Sequence, residues 1–139
     1  MTTFGPNKTV VNLYLRSLLK KKSERVMVID TKSLGSSRCM AKRLPKSNVF
    51  VLGTDKGLEK SARTFGIRNV VEAWSDEALR RWRYFRFDLV FLDYCGTPDG
   101  SKHCNPSEDI ARASTMLRRD GVIAVTFCKA RCSHVMTKC

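Results

Sequence analysis

The chain has 139 residues, 42% of them hydrophobic and 28% charged, which suits one domain with a single core. That balance excludes a disordered polyelectrolyte, and no apolar run approaches the roughly 18 residues of a membrane span. A net charge of +13 points instead to a polyanionic partner such as RNA or DNA, and residues 1–46 carry eleven basic side chains against two acidic ones.

Residues 8–22 predict a basic amphipathic helix. Val11, Tyr14, Leu15 and Leu18 share one face, and Lys20, Lys21 and Lys22 gather at the C-terminal end. Asn12 and Arg16 interrupt the apolar run, so it lacks signal-peptide anatomy. The expectation is an intracellular protein (cytoplasm, nucleus or an organelle) whose six cysteines are reduced thiols. RVMVID follows, a continuous apolar run closed by Asp30, as in a strand buried on both faces of a parallel sheet. The loop TKSLGSS opens a short helix that Pro45 must end.

The unit then repeats. NVFVLGTD predicts a second buried strand ending at Asp55, and Leu58, Ala62 and Phe65 mark a helix stopped by Gly66. A short strand over Asn69–Ala73 leads to Ser75 as the N-cap of a helix reaching about Trp82. FDLVFLDYC is the clearest strand. After a Gly/Pro-rich loop, Asn105-Pro106-Ser107-Glu108 has the form of a helix start, with Ile110, Ala113, Ser114 and Leu117 on the buried face. Asp120-Gly121 turns the chain into a last strand, VIAVTF. Five apolar strands alternating with helices predict an α/β fold with a parallel sheet in one domain, 1–139, its β/α units running to about residue 128. Ligands of such sheets bind outside the carboxyl ends of the strands, which selects Asp30, Asp55, Trp74-Ser75, Asp93 to Pro98 and Cys128 to His134.

From about Val26 to Phe127 the chain resembles class I S-adenosylmethionine-dependent methyltransferases. VMVIDTKSLGSS stands where that family has an acidic strand end and a Gly-rich loop, VFVLGTD where a carboxylate accepts the ribose hydroxyls, and LDYCGTP where an Asp-led motif faces the methyl group. The resemblance implies a Rossmann-like, doubly wound sheet of about five strands with helices on both faces, without the family's usual last two strands. It implies S-adenosylmethionine as cofactor, held by Asp30, Gly35, Ser36, Ser37, Asp55, Trp74, Ser75 and Asp93, with Asp76 beside the adenine. A carboxylate grips a ribose diol with two charge-assisted hydrogen bonds, and small loop residues let backbone approach the ligand. The loop departs from the family in having Gly35 alone, with Lys32 and Leu34 where smaller residues are usual.

Two acceptor classes compete. LDYCGTP and LRRDGVIAVTF are similar to tRNA guanine-N2 dimethyltransferases, matching at Asp93, Gly96, Thr97 and Pro98, with Tyr94 in place of a proline. Asp93, with Tyr94 beside it, would then be catalytic and take a proton or hydrogen bond from the exocyclic amine. Cys95 and Cys128 are similar instead to the RNA cytosine-C5 methyltransferases, in which Cys128 would be the nucleophile with Lys129 and Arg131 lowering its pKa. The expected function is methyl transfer to nucleic acid, RNA ahead of DNA. The alternative is a non-catalytic fold of this type serving as a basic nucleic-acid-binding or assembly module.

RRWRYFRF (Arg80 to Phe87) alternates arginines with aromatics able to stack on bases. Arg80, Arg81 and Arg83, with Lys20, Lys21 and Lys22, are therefore candidate nucleic-acid contacts on the edge opposite the crevice. The plainer reading packs Trp82, Phe85 and Phe87 under the sheet and leaves the arginines in solvent. A partner protein or a second copy would cover the fifth-strand edge. No metal is expected, since His103-Cys104 and Cys128-x3-Cys132-x-His134 lack paired CxxC spacing.

Overall fold

Each apolar run becomes a strand: β1 (Val26–Ile29), β2 (Val49–Gly53), β3 (Val70–Glu72), β4 (Phe87–Asp93) and β5 (Leu117–Thr126). The computed structural model describes residues 6–94 and 104–127. Among these the strands form one parallel sheet in the order β3-β2-β1-β4-β5. From β1 the chain winds outward to β3, then returns to the other side of β1 for β4 and β5. The fold is thus the doubly wound α/β sheet that the sequence predicts. Helices α1 (Pro6–Ser17), α2 (Gly35–Met40) and α3 (Leu58–Phe65) cover one face, while α4 (Ser75–Arg81) and α5 (Pro106–Ser114) cover the other. Side chains alternate between the layers with the period of two that a strand imposes. Val26 and Val28 pack with Leu15, Leu19, Leu34 and Leu58, whereas Met27 packs with Leu79, Trp82 and Met116.

Four elements differ from the sequence reading. The first helix ends at Ser17, so Lys20, Lys21 and Lys22 lie in the exposed turn beyond it. Its inner residues are Asn12 and Leu15, with Leu19 buried just beyond its end, while Tyr14 is 63% exposed. Asn12 can sit inside because its Oδ1 accepts the Ser36 hydroxyl at 2.9 Å. Ser75 is the first residue of α4, not its cap, and donates its hydroxyl to Asp109 instead. In α5 the buried residues are Pro106, Asp109 and Ala113; Ile110 is half-buried, Ser114 is exposed, and Leu117 already belongs to β5. Asp120-Gly121 is not a turn before the strand but an irregularity within it. Phe87 pairs with Leu117 and Leu89 with Val122, so six residues of β5 oppose three of β4, and Asp120 takes a left-handed φ of 66° to close the bulge.

The carboxyl ends of β1 and β2 approach so closely that only glycine fits at the last position of β2. A Cβ on Gly53 would lie 2.4 Å from the Asp30 carbonyl oxygen and 3.1 Å from the Leu58 side chain. Since the first obstacle is backbone, the strands themselves must part to admit it. Gly53→Ala is expected to destabilise the fold by about 3 kcal/mol, read as a lower urea midpoint at unchanged m-value. An unchanged midpoint would show that the two strand ends separate freely.

Candidate functional site

Three carboxylates reach the same edge of the sheet. Asp30 follows β1, Asp93 ends β4, and Asp55 stands two residues past β2. Val28 is opposite Phe91, so the register sets Asp30 beside Asp93 at the point where the strand order reverses. Crevices of doubly wound sheets open at that point.

The three are held differently. Asp30 is buried, at 7% exposure. Its Oδ2 accepts the Ser37 amide at 2.8 Å and the Ser37 hydroxyl at 2.6 Å, and Oδ1 accepts the Thr31 amide at 2.9 Å. Burial raises its carboxyl above the usual carboxylate range, against the pull of these donors and of the Lys8 charge. Asp93 is half-buried, with the Lys8 ammonium of α1 on one oxygen and the Thr126 hydroxyl of β5 on the other. Burial also lowers the pKa of Lys8. Asp55 accepts the Lys32 amide through Oδ2 at 2.8 Å, and among the described residues its Oδ1 carries no hydrogen bond. It is the carboxylate of the three with an oxygen to offer a ligand diol.

The β1–α2 loop makes its left-handed turn at a residue that is not glycine. Leu34 takes a left-handed φ of 58° and is fully buried under α2, a conformation that costs a non-glycine residue about 1 kcal/mol. Its side chain therefore lies in the core, leaving Thr31, Lys32 and Ser33 at the surface. Gly35 begins α2. Ser36 and Ser37, predicted to touch a cofactor, are fully buried and spend their hydroxyls on Asn12 and Asp30. After β3, Trp74 is 45% exposed, and Asp76 is exposed with Arg80 3.9 Å away. Tyr94, predicted beside the reacting group, is buried; its hydroxyl donates to Asp109 at 2.7 Å, and burial raises its pKa. Cys95, Gly96, Thr97, Pro98 and Cys128 lie outside the described residues, as do His103, Lys129, Arg131, Cys132 and His134. Among the described residues no group of three His, Cys, Asp or Glu could hold a metal.

The basic candidates stand on the opposite edge. Arg80, Arg81 and Arg83 are exposed while Trp82 and Phe87 are buried. Phe85 divides its ring between Phe50, 4.9 Å away, and the Arg25 guanidinium at 5.2 Å. Two of the arginines face acids one turn back, Arg81 bonding Glu77 at 2.9 Å.

Asp109 is the residue that sequence reasoning missed. It is 2% exposed on α5 and accepts the hydroxyls of both Ser75 and Tyr94, tying the segments that follow β3 and β4 to α5. Its spacing from Pro106 and Ala113, three and four residues, is the signal that could have placed it inside.

No family model matches the sequence, and no curated protein matches it. The fold does match solved structures. An S-adenosylmethionine-dependent methyltransferase from Agrobacterium tumefaciens aligns at a TM-score of 0.63 and 10% identity, over 88% of this chain and 45% of that one. NSun6 from Pyrococcus horikoshii with SFG aligns at 0.57 and 19%, over 84% of this chain and 36% of that one. A Streptococcus mutans protein in complex with SAH aligns at 0.59 and 12%, over 84% and 70%. This chain thus spans less than half the length of the first two. The shared feature is the Rossmann-like fold of class I methyltransferases.

Burial raises the Asp109 carboxyl above its ordinary value of 3.8, despite the Ser75 and Tyr94 donors. Between the unfolded and folded values the native protein holds more protons than the unfolded chain. Its contribution to stability is therefore complete below the unfolded value and is lost as pH rises through the folded one. Asp109→Asn cannot ionise and escapes that loss. Urea unfolding at pH of about 4, 5.5 and 7 should show the wild type losing ground to the variant as pH rises. A constant difference would mean that Asp109 titrates alike in both states.

Proposed function

We propose that the chain is a methyltransferase domain that binds S-adenosylmethionine at the carboxyl edge of its sheet and methylates nucleic acid. The observation that carries the reading is the arrival of Asp30, Asp55 and Asp93 at one carboxyl edge, two of them at the switch point of this fold, with Asp55 Oδ1 open to a ligand. The residues present fit the cofactor. Asp55 can accept a ribose hydroxyl while still holding the Lys32 amide, exposed Trp74 offers a ring to the adenine at the neighbouring strand end, and Leu34 keeps the loop low by burying its side chain. When bound, the cofactor supplies a methyl group on a cationic sulfur.

The chain's own residues do the rest. Asp30 fixes the loop through Thr31 and Ser37. Asp93, the proposed catalytic residue, is held in place by Lys8 and Thr126. A carboxylate offers about four acceptor positions, so Asp93 can also take a hydrogen bond or a proton from an acceptor amine as its nitrogen is methylated. Tyr94 supports the site from below through Asp109. A cysteine mechanism would rest on Cys128. The +13 charge supports nucleic acid as the acceptor class, and Lys20, Lys21, Lys22, Arg80, Arg81 and Arg83 are proposed as contacts to a strand long enough to reach the far edge. The whole chain, 1–139, is proposed as one domain, and a partner along β5 is proposed because, among the described residues, that strand stands at the sheet edge. No helix among the described residues is long and apolar enough to cross a membrane.

Calorimetric titration with S-adenosylmethionine and S-adenosylhomocysteine tests the reading. Micromolar binding is expected, weakened about 10- to 100-fold by Asp55→Ala, because hydrogen bonds to a charged group contribute about 1.5–3 kcal/mol. Circular dichroism of the variant checks that the fold survives. A folded wild type that releases no heat, or an Asp55→Ala variant that binds equally well, would overturn it.

A further inference from the structure

Beside the Asp55 carboxylate, on the face covered by α2 and α3, a groove of about 480 Å³ is lined by Lys32, Arg38, Lys60, Ser61, Thr64 and Phe65. Its chemistry is one-sided. No carboxylate lines it, and among the described residues neither Lys32, Arg38 nor Lys60 forms a salt bridge. Of the nearby acids, Glu59 pairs with Arg63 at 3.0 Å, and Asp55 meets Lys32 through its backbone amide, not its ammonium. Residues 31–68, which contribute the whole groove, carry nine basic side chains against two acidic ones.

The floor is cationic as well. The Phe65 ring lies under the Arg38 guanidinium at 4.9 Å and the Lys46 ammonium at 4.2 Å, and Lys46 is anchored to the Phe65 carbonyl at 2.7 Å. The ring thus serves as a platform that orients Arg38 toward the groove, and a guanidinium so oriented is prepared for the fork-like recognition of a phosphate. Ser61 and Thr64 already donate their hydroxyls to the Lys32 and Lys60 carbonyls, leaving the three cations as the groove's recognition groups.

Length selects the ligand. Gly57, which also lines the groove, and Thr64 are about 10 Å apart along α3. A stacked strand carries one phosphate per roughly 3.4 Å of axis, so the groove offers three cations to about three successive phosphates. We infer that the α2–α3 groove binds the phosphodiester backbone of a single-stranded nucleic acid, leading the strand along α3 toward the carboxyl edge. The inference rests on the nucleic-acid half of the proposed function and not on its cofactor half.

The test is fluorescence anisotropy of a labelled single-stranded RNA of about 15 nucleotides, without cofactor, across a series of salt concentrations. Arg38→Ala/Lys60→Ala is compared with Arg112→Ala/Arg119→Ala, which removes the same charge from exposed positions outside the groove. Each lost single-strand phosphate contact flattens the slope of log affinity against log salt by about 0.7. The groove pair should therefore flatten it by about 1.4 and weaken binding about 25-fold at 0.1 M salt, with the control pair close to wild type. Equal shifts for both pairs, or none for the groove pair, would overturn the groove and leave the nucleic-acid reading standing. A wild type that binds no strand would overturn both. Displacement by 5′-AMP as effective as by unlabelled strand would overturn the backbone assignment, since the groove would then be a mononucleotide site. S-adenosylmethionine calorimetry on the groove pair should match the wild type, separating this result from the Asp55 test.

Discussion

The buried carboxylate of Asp30 organises the carboxyl edge. A carboxylate taken out of water must be given donors, and this one finds three within its own loop and helix: the Thr31 amide, the Ser37 amide and the Ser37 hydroxyl. Satisfying them curls residues 31–37 back over the strand end, which is why Leu34 adopts a left-handed backbone without being glycine. The curl also presents the Lys32 amide to Asp55, coupling the ends of β1 and β2 where Gly53 already holds their backbones in contact. The open oxygen of Asp55 and the wall of the α2–α3 groove both follow from this one solvation requirement.

Charge at the same edge is balanced from an unexpected direction. Asp30 and Asp93 adjoin, and two neighbouring carboxylates repel unless a cation stands near them. Lys8 is that cation, delivered by α1 and directly paired with Asp93. The first helix therefore does more than cover the sheet: it runs from the carboxylates at one edge to the Lys20–Lys22 turn at the other. A cationic ligand entering the crevice meets two acids already partly neutralised, so Asp55, whose contact is with a backbone amide and not a charge, is the more sensitive reporter of binding there.

Much of this was legible from residue order. Continuous apolar runs ending in Asp marked β1, β2 and β4 because strands buried on both faces admit no alternation, and the left-handed Gly66 marked the end of α3. What escaped were polar residues on inward faces. Asn12, Ser36, Ser75 and Asp109 look like surface or capping residues, since their burial depends on a partner distant in sequence: Asn12 on Ser36, Ser75 on Asp109. The same blindness displaced the α1 face toward Tyr14 and put Ile110 where Asp109 lies. The three strand-end acids were found, but not that two of them are occupied, because occupancy belongs to side chains from α1, α2 and β5.

The two basic regions differ in what holds their charge. At the amino edge the arginines are partly compensated: Arg81 by Glu77, Arg118 by Asp88 at 3.2 Å, and Arg25 through aromatic faces and the Arg86 carbonyl. Exposed i,i+4 pairs such as Arg81–Glu77 are weak, yet they lower the local potential and commit the side chains to helix neighbours. In the α2–α3 groove Lys32, Arg38 and Lys60 have no such partners among the described residues, and Arg38 is oriented by a ring that supplies no formal charge. Unpaired like charges along one groove repel one another in the free protein, and a polyanion relieves that repulsion on arrival. The groove is therefore a region where an approaching phosphate backbone gains by relieving that repulsion, and it opens beside the carboxylate on which the cofactor reading depends.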